Sequence, residues 1–563
     1  MLRKILLRLR TLRFLKPAQV YYFLLRRYLP TRRIKVSNCP SVRFAKYSCA
    51  PCSISGIRVT QSTFRFLNEE VNLALDDGGL DWSPASQSRL WQYHLHYFDY
   101  LRESARPFEE KDQLVHYWIE QNPQGSRPGW EPFTASLRIV NWIFYLSRRS
   151  QQEIPALWLE SLYLQALWLE RNLEKHILAN HYFENLKALY FAGCFFNGSD
   201  AERWLRIALR EIPRQVHEQT LSDGGHYERS PLYHCLMMEN LLDVCNLGQS
   251  YPDLSSADFQ NLMRSHASAG LEWLAEVVFP DETFPLFNDS AFGSSIEPRA
   301  LFDYAERLSI DFNLRDSEGL EMINRPDSGL YGCRTDSDMF IIDCGDIGPA
   351  YQPGHTHCDF LSYELMLFGR RIVIDTGVCE YRSGFLRDYV RSTKAHNTIS
   401  VDETEQSEIW GEFRVARRAR KLGARVSRSG NAVEFFGAYK GFHCIKGDIE
   451  HQRVVVVSLS NDEKQIRSVE ISDSLYGTGQ HLVENYVHFR PGIELTRLSH
   501  EIVEIIDGSI NIAQILVADG QEYHVESAVY CPEFGKQLTS PVLVLRTRCE
   551  LPVTLHYAIH VQE

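Results

Sequence analysis

The stretch Ala156-Leu-Trp-Leu-Glu-Ser-Leu-Tyr-Leu-Gln-Ala-Leu-Trp-Leu169 sets the fold class of the first half of this sequence. Its apolar residues recur at spacings of three and four, which is the period of an α-helix with an apolar face. The same period recurs in 89–101 and 136–146, and it predicts further helices near 186–194, 201–211, 233–246 and 258–278. Short breaks rich in polar residues, Gly or Pro separate these stretches. We therefore expect roughly ten helices, paired as antiparallel hairpins in a bundle or toroid.

The hydrophobic period changes after Arg325-Pro326. Strands are predicted in 331–343, 359–369, 371–375, 432–439, 453–458 and 541–546, with turns at short intervals. This pattern predicts an antiparallel β-sandwich in the second half. The expected fold class is α+β with several domains: a basic amphipathic segment over 1–65, a helical domain over 66–325 and a β-sandwich domain over 326–563.

Charge is distributed unevenly along the 563 residues, whose net charge is −12. Met1 to Lys35 contains eleven Lys or Arg and no Asp or Glu, which leaves 49 basic and 72 acidic residues in the remainder. Such an acidic body argues against general nucleic-acid binding, because that function needs a basic surface. The 13 cysteines are odd in number and scattered, so no dense disulfide framework is expected.

Residues 1–16 place a charge every two to four positions among leucines. This spacing interrupts the apolar run that a secretory signal needs, so no cleavable signal peptide is expected, and the sequence alone favours a cytoplasmic or membrane-peripheral protein. A basic amphipathic helix lies on an anionic membrane surface or packs on the body with its basic side in water, and both alternatives stay open. Cys49 and Cys52 form a lone CxxC without a second pair at zinc-ribbon spacing.

The densest group of metal-ligating residue types is Gly354-His-Thr-His-Cys-Asp359. On an extended segment, His355 and His357 project to the same side. A hairpin that brings His357, Asp375 and His396 together would offer two nitrogens and one oxygen, a donor set that suits Zn²⁺. Histidines this far apart in sequence also occur as structural or solvent-exposed residues, and the spacing alone does not decide between these roles.

Two motifs in the helical half combine polar and aromatic residues. Asn180-His-Tyr-Phe-Glu-Asn185 stands before a predicted helix, where an Asn is ordinarily an N-cap. Asp223-Gly-Gly-His-Tyr-Glu-Arg-Ser-Pro-Leu-Tyr-His234 starts with a Gly-Gly turn and crowds aromatic and basic residues beside it. Both also fit a loop and helix start whose aromatic side chains pack into the core.

Six motifs, taken together and in order, resemble the heparinase II/III-like family of polysaccharide lyases. They are Gly129-Trp-Glu-Pro-Phe133 with Ser136–Trp142, Asn180–Asn185, Glu228–His234, His355–Asp359, Ile374–Gly377 and Arg391–Thr398. The resemblance implies an (α/α) toroid followed by an antiparallel β-sandwich, in agreement with the hydrophobic periods. It also implies β-elimination at a uronic acid, with an anionic polysaccharide as the substrate.

The resemblance implies roles for four residues in that reaction. Asn180 would hydrogen-bond the substrate carboxylate and stabilise an enolate-like intermediate. Tyr233 would be the general acid and, for one stereochemistry, also the base. His355 would be the other acid/base or would neutralise charge, with His181 supporting it.

The resemblance also implies a metal site, and side-chain chemistry and position along the chain suggest substrate contacts, although these residues also fit ordinary surface roles. His357, Asp375 and His396 match the zinc-ligand pattern of the family, in which the Zn²⁺ is chiefly structural. Guanidinium groups grip carboxylate and sulfate oxygens in pairs, and phenol rings contact sugars. The candidate substrate-binding residues are Arg138, Arg229, Tyr381 and Arg387.

Three functions remain open at this stage. The first is a lyase for a uronate polysaccharide, and the second is a uronate C5-epimerase, which starts with the same proton abstraction and reprotonates the opposite face. The third is a non-catalytic glycan-binding or assembly protein on the membrane surface, for which the basic residues 1–35 are the motive. The resemblance favours the periplasm or cell envelope. The basic segment in place of a signal peptide, with the unmatched first 65 residues, suits a protein that acts where an envelope or exopolysaccharide is built. The sequence predicts no oligomeric state.

Overall fold

The computed structural model of the protein describes residues 2–29, 33–36, 38–47, 50–52, 58–59, 62–76, 78–103, 106–314 and 319–562. The α-helices within these ranges are α1 (Leu2–Leu12), α2 (Pro17–Tyr28), α3 (Arg89–Tyr97), α4 (Phe108–Gln121), α5 (Pro132–Leu146), α6 (Ala156–Arg171), α7 (Ala179–Phe195), α8 (Ser199–Gln219), α9 (Pro231–Ser250), α10 (Ala257–Val277), α11 (Pro298–Arg307) and α12 (Phe385–Val390).

The strands within the same ranges fall into a short amino-terminal group and a long carboxy-terminal series. They are β1 (Arg58–Val59), β2 (Thr63–Phe66), β3 (Glu69–Asn72), β4 (Glu321–Arg325), β5 (Leu330–Arg334), β6 (Met339–Asp343), β7 (Tyr363–Leu367), β8 (Arg370–Val373), β9 (Ile399–Val401), β10 (Ile409–Trp410), β11 (Arg414–Val415), β12 (Arg420–Ser429), β13 (Ala432–Lys440), β14 (Glu450–Leu459), β15 (Ile466–Tyr476), β16 (Gln480–His488), β17 (Ile493–Arg497), β18 (Ile502–Asp507), β19 (Ile510–Val517), β20 (Glu522–Glu533), β21 (Lys536–Glu550) and β22 (Val553–Val561).

Helices α3–α11 form the helical half, which confirms the predicted helical first half. The central helix α7 is buried along nearly its whole length and packs against α5 and α8. A helix without a polar face is stable only when neighbours cover it on all sides. Gly193 permits the contact with α8, because a Cβ there would lie 2.7 Å from Cγ of Leu205.

The sheet half consists of three larger antiparallel sheets. Their strand orders are β4-β5-β6-β7-β8, β20-β21-β16-β9 and β12-β13-β14-β15-β22-β19-β18-β17. Buried and half-buried residues alternate along β14, as expected for a strand with one face on a core. The apolar core of the helical half continues into the first sheet through Leu330, Met339 and Ile341, so the two halves meet across packed side chains.

The predicted domain boundary and two strand bounds need correction. Strand β4 pairs with β5 and ends at Arg325, so the sheet half begins before the predicted boundary. The predicted strand 359–369 is limited to β7, because residues 355–361 form a buried loop beside the candidate site. The predicted strand 331–343 is two strands, β5 and β6, joined by a turn.

The predicted basic amphipathic helix within residues 1–16 is present as α1, and a second helix, α2, follows it in the same segment. Cys49 lies outside the described residues, so the CxxC prediction stays a prediction. No helix among the described residues combines the length and apolar character that a membrane crossing requires.

Candidate active site

A cavity of about 550 Å³ lies between the two halves, and we call it the groove. Its walls come from α3, α5, α7 and α9 of the helical half, from the segment 292–297, and from three residues of the sheet half. Asn180, Tyr233 and Tyr381 all line it. A concave space at a domain junction is a common place for a ligand.

Asn180 reaches the groove from the first turn of α7. The helix begins at Ala179, and both its N-cap Leu178 (φ 66°) and Ala179 itself (φ 52°) have positive φ angles. Such backbone is costly for residues with a side chain, and it turns the chain sharply into the helix. Leu178 holds the N-cap position, so Asn180 is not the N-cap. Its Oδ1 accepts the backbone N–H of His181 at 2.9 Å.

Tyr233 of the helical half meets His355 of the sheet half. Their ring centroids are 3.8 Å apart, with an angle of 31° between the ring planes. The hydroxyls of Tyr233 and Tyr381 lie 3.2 Å apart. Burial, with the nearby phenol of Tyr381 and the carboxylate of Asp289, raises the pKa of Tyr233 well above that of a free phenol. Tyr233 is therefore a neutral proton donor at rest.

His355 is held by a buried aspartate. Its Nδ1 donates to Oδ2 of Asp289 at 2.9 Å, and Nε2 of His357 donates to Oδ1 at 2.8 Å. Arg387 grips both oxygens of the same carboxylate. Burial alone would raise the pKa of Asp289, but Arg387 and the two histidines hold it well below its usual range. The carboxylate is thus an acceptor, which leaves Nε2 of His355 as the ring nitrogen that exchanges protons with a ligand.

Glu228 lies on the other side of His355. Its Oε2 is 3.5 Å from Nε2 of His355. Burial raises the pKa of Glu228, although His355 and His181 counteract this effect. A carboxyl with a raised pKa this close to Nε2 can take up or return the proton that His355 handles.

His181 follows Asn180 in the chain, but its side chain pairs with Glu174. Its Nδ1 lies 3.3 Å from Oε1 of Glu174, and its ring packs on Phe133 at 4.3 Å between centroids. Burial lowers the pKa of His181, but Glu174 more than reverses this and raises it above its ordinary value. His181 therefore pairs with Glu174 behind Asn180 rather than with His355.

The four predicted substrate-binding residues lie in different places. Tyr381 lines the groove beside Tyr233. Arg387 is fully buried, and its guanidinium binds the carboxylate of Asp289. The substrate prediction for Arg387 is therefore corrected to a positioning role. Tyr381 stays a candidate for sugar contact.

Arg138 and Arg229 do not line the groove. The guanidinium of Arg138 is fully buried, lies 3.8 Å above the Trp118 ring and donates to Gln165 at 2.8 Å. Arg229 donates to the backbone carbonyls of Asp327 and Ser328 at 2.6 and 2.7 Å. Their predicted substrate contacts are corrected accordingly, because local packing uses both side chains.

A buried group of metal-ligating side chains lies behind Asp289. His357, Asp359 and His396 each offer one ligand atom, and these atoms lie within 4.8 Å of one another. Nδ1 of His357 and Nε2 of His396 are buried without a hydrogen-bond partner. Orphaned ring nitrogens that face a nearby carboxylate fit a divalent metal, since each would otherwise be buried unpaired at a cost in free energy. The group can hold a metal ion.

Asp375, predicted as a ligand, is not part of this group. Its Oδ2 accepts from Nδ1 of His396 at 2.8 Å and its Oδ1 accepts the backbone N–H of Gly377 at 3.2 Å. This contact fixes the tautomer of His396 and directs Nε2 toward His357 and Asp359. The donor set is therefore corrected to His357, Asp359 and His396, with Asp375 orienting one ligand.

Comparison with known families gives matches over both halves of the chain. Residues 45–309 match the family model of the heparinase II/III N-terminus, and residues 318–551 match that of the heparinase II/III-like C-terminal domain. The chain belongs to the heparinase II/III-like family. The two matches cover both halves of the molecule and meet at the helix-to-sheet junction where the groove lies.

Individual members of the family are distant from this chain. It is similar to a heparin-sulfate lyase of Pedobacter heparinus, with 24% identity over 320 residues, which is 51% of this chain and 46% of the relative. A heparin-sulfate lyase of Bacteroides thetaiotaomicron is 24% identical over 403 residues, covering 60% of this chain and 55% of the relative. The chain thus spans about half the length of the curated relatives it matches.

Solved structures of the family share the fold. The structure of heparinase III matches with a TM-score of 0.68 and 18% identity over 97% of this chain and 91% of its own. That of the heparan sulfate lyase from Pedobacter heparinus matches with a TM-score of 0.57 and 17% identity, over 89% and 81%. The toroid followed by a β-sandwich is thereby confirmed.

Sequence reasoning missed three residues of the site: Asp289, Glu228 and Asp359. Asp289 stands in Phe287-Asn-Asp-Ser290, a polar stretch after an apolar run, which was the only local signal of its presence. Its partners lie 66, 68 and 98 residues further along the chain. Glu228 and Asp359 were inside quoted motifs, but spacing alone assigned them no role.

Proposed function

We propose that the chain is a polysaccharide lyase that cleaves a uronate-containing polysaccharide by β-elimination. The observation that carries this proposal is the contact between Tyr233 and His355 across the two halves, beside the groove that Asn180 also lines. The reaction needs an amide, a neutral phenol and an imidazole held by a carboxylate; Asn180 and Tyr233 line one cavity, and the ring of His355 packs against Tyr233.

The first requirement of the reaction is to acidify the proton on C5 of the uronic acid. That proton is barely acidic while the neighbouring carboxylate is ionised. The side chain of Asn180 projects into the groove from the first turn of α7, and its amide donates to the substrate carboxylate. A donor that strengthens its bond as the enolate-like intermediate forms lowers the barrier, by a factor of about 10²–10³ in comparable sites.

Proton transfer then involves the two rings in contact. Nε2 of His355 takes the C5 proton while Asp289 holds Nδ1 and balances the imidazolium charge. Tyr233 donates its phenolic proton to the C4 oxygen as the C4–O bond breaks. The products are a 4,5-unsaturated uronate and a new hydroxyl end. Because C4 and C5 are adjacent, acid and base must reach one sugar ring, and rings 3.8 Å apart satisfy this condition.

The charge of the groove favours a substrate with few negative groups. Three Arg or Lys residues line the groove: Arg102 pairs with Glu239, Lys187 pairs with Glu184 at 3.1 Å, and Arg65 contacts the amide oxygen of Asn68. The lining also includes Asp99, Glu297 and Glu533. A densely sulfated chain would meet these three carboxylates with Arg65 as the one Arg or Lys of the described lining outside an ion pair, so the proposed substrate carries uronate with little or no sulfate.

The proposed occupant of the buried His357, Asp359 and His396 group is Zn²⁺ in a structural role. When bound, the ion would tie the segment 357–359 to His396 and so fix the backbone that carries His355. No proton-transfer step passes through it. The donor set of two imidazoles and one carboxylate supports zinc over the oxygen-preferring cations.

A panel of uronate polysaccharides, each unsulfated or sulfated, tests the proposal. The purified chain should generate ultraviolet-absorbing 4,5-unsaturated ends, at least tenfold faster on the unsulfated polymers. Incorporation of solvent deuterium at C5 without chain cleavage would instead support the C5-epimerase. Binding without either change, retained in Tyr233→Phe, would support the glycan-binding alternative.

A further inference from the structure

Helices α1 and α2, which we call the basic helix pair, concentrate exposed apolar side chains. Among the described residues, 26 large hydrophobic side chains are exposed, and 11 of them lie between Ile5 and Leu29. Ile5, Leu9 and Leu12 follow one stripe of α1, with Leu9 58% exposed. On α2, Tyr21, Leu24 and Tyr28 form a similar stripe, with Tyr28 71% exposed. Contiguous exposed apolar surface of this kind marks an interaction site.

The same helices are rich in cationic residues and contain no acidic residue. Arg10, Lys16 and Arg26 contact the body of the protein. In the described part of the chain, no ion pair involves Lys4, Arg8, Arg13 or Arg27. Unneutralised cations next to exposed leucine and tyrosine side chains are the composition of helices that lie in a membrane interface.

Polar contacts, rather than the apolar stripes, hold the basic helix pair on the body. Arg10 bonds to both carboxylate oxygens of Glu408 at 3.0 Å, and Oγ1 of Thr11 accepts from Nε1 of Trp410 at 3.0 Å. In the linker between the helices, Lys16 pairs with Glu218 of the helical half. The pair is therefore anchored to both halves while its apolar stripes stay uncovered.

We propose that the basic helix pair is a docking surface for an anionic lipid bilayer. A bilayer matches both features at once, because apolar side chains enter its interface while Lys and Arg stay at the anionic headgroups. A second copy of the pair would bring like charges together, which disfavours self-association through this surface. The proposal concerns where the protein sits and does not rest on the proposed lyase activity.

Membrane docking would place the groove near the bilayer. Glu408 precedes the segment 412–413, where the Glu412 carbonyl accepts from Arg387 and the Phe413 ring lies 5.9 Å from His355. The anchor of the basic helix pair is thus a few residues from the site. The protein would then act on polymer chains at the surface of a membrane, which is a peripheral location.

Flotation of the full chain with lipid vesicles tests the proposal. The chain should float with vesicles of phosphatidylglycerol and phosphatidylcholine, and at least tenfold less with phosphatidylcholine alone. The triple variant Leu9→Glu/Tyr21→Glu/Leu24→Glu should lose at least tenfold of this binding with an unchanged Tm. The matched control, Leu422→Glu/Leu498→Glu/Ile510→Glu, changes three exposed apolar residues elsewhere and should float like the parent chain.

Charge variants give a second measurement that leaves the stripes intact. Arg8→Gln and Arg27→Gln should each weaken binding to anionic vesicles about fivefold, the usual effect of one basic residue near such a surface. Absence of flotation by the parent chain would overturn the proposal, as would equal flotation of the two triple variants. So would a parent chain that is dimeric by light scattering, ignores vesicles and becomes monomeric in Leu9→Glu/Tyr21→Glu/Leu24→Glu.

Discussion

Two buried aspartates of this protein have nearly the same partners but different surroundings. Asp289, beside the groove, binds Arg387 through both oxygens and accepts from His355. Asp473, inside the β-sandwich, binds both oxygens to Arg453 at 2.7 and 2.9 Å and accepts from Nε2 of a histidine, His451, at 2.7 Å. Both carboxylates are fully buried, and the pKa of each is held below its ordinary value by the arginine and histidine.

The two Arg–Asp–His arrays differ in the surroundings of their histidines. The ring of His355 lies against Tyr233, with its side chain 12% exposed beside the groove. The His451 ring is fully buried and packs against Tyr439 at 5.3 Å. An Arg–Asp–His array is therefore a way to satisfy buried charge, and we assign a chemical role only to the array whose histidine lies against Tyr233 beside the groove.

Asp289→Asn should cause the largest loss of turnover and so separate the role of Asp289 from that of Asp473. The amide would hold His355 in the wrong tautomer and leave Arg387 unpaired. Turnover should fall by roughly 10³–10⁴-fold, as when the aspartate of a catalytic His–Asp pair becomes an amide. The Michaelis constant should change much less, because Asp289 does not touch the substrate. Steady-state kinetics on a polymer that the parent chain cleaves measures the turnover number and the Michaelis constant separately. A change confined to the Michaelis constant would contradict the positioning role.

Asp473→Asn, the matched control, should reverse the pattern. Removing one partner from a buried ion pair leaves Arg453 uncompensated and should lower the free energy of unfolding by about 3–5 kcal/mol. Turnover per folded molecule should stay within about twofold of the parent. Denaturant unfolding and activity measured on the same samples check both statements. A thousandfold loss of turnover in this variant would remove the distinction between the two arrays.

His396→Ala tests whether the buried group behind Asp289 holds metal. The variant should lose bound zinc, measured by elemental analysis, and its Tm should fall by about 5 °C. His451→Ala is the control on the other array and should retain any metal of the parent. Equal metal content in the parent and His396→Ala would contradict the assignment of the site.

Acid should remove the stability that Asp473 supplies, and this is the smallest expected effect. The pKa of Asp473 is depressed in the folded protein, so its contribution is present above the unfolded pKa of about 3.9 and is lost as pH falls toward the folded value. The advantage of the parent over Asp473→Asn should shrink by about 1 kcal/mol from about pH 6 to about pH 3. If the stability difference between the parent and Asp473→Asn instead grew as the pH fell, the pKa of Asp473 would not be depressed by folding.

The helices and the sheet half were predictable because their signals are local. Apolar residues recur every three or four positions around Trp158 in α6, and buried residues alternate with half-buried ones near Val455 in β14. Each pattern arises within a single helix or strand that packs on one core. The site depended on long-range contacts that spacing cannot reveal. Asp289 binds side chains from three later segments of the chain. The predicted ligand Asp375 is not part of the metal-ligating group; Asp359 is, and it lies in the buried loop 355–361, which was not predicted. Burial likewise decided that Arg138 and Arg387 serve packing and positioning.

The central claim is that Tyr233 and His355 form the acid and base of a β-elimination. The most direct measurement is the rate of unsaturated uronate formation by Tyr233→Phe, compared with the parent chain at saturating polymer. The substitution removes one hydroxyl from a side chain that is 8% exposed and should leave the fold and polymer binding intact. We expect the rate to fall by about 10²–10⁴-fold, the usual contribution of a general acid or base, with little change in binding. A variant that still forms unsaturated ends at the rate of the parent would contradict the mechanism.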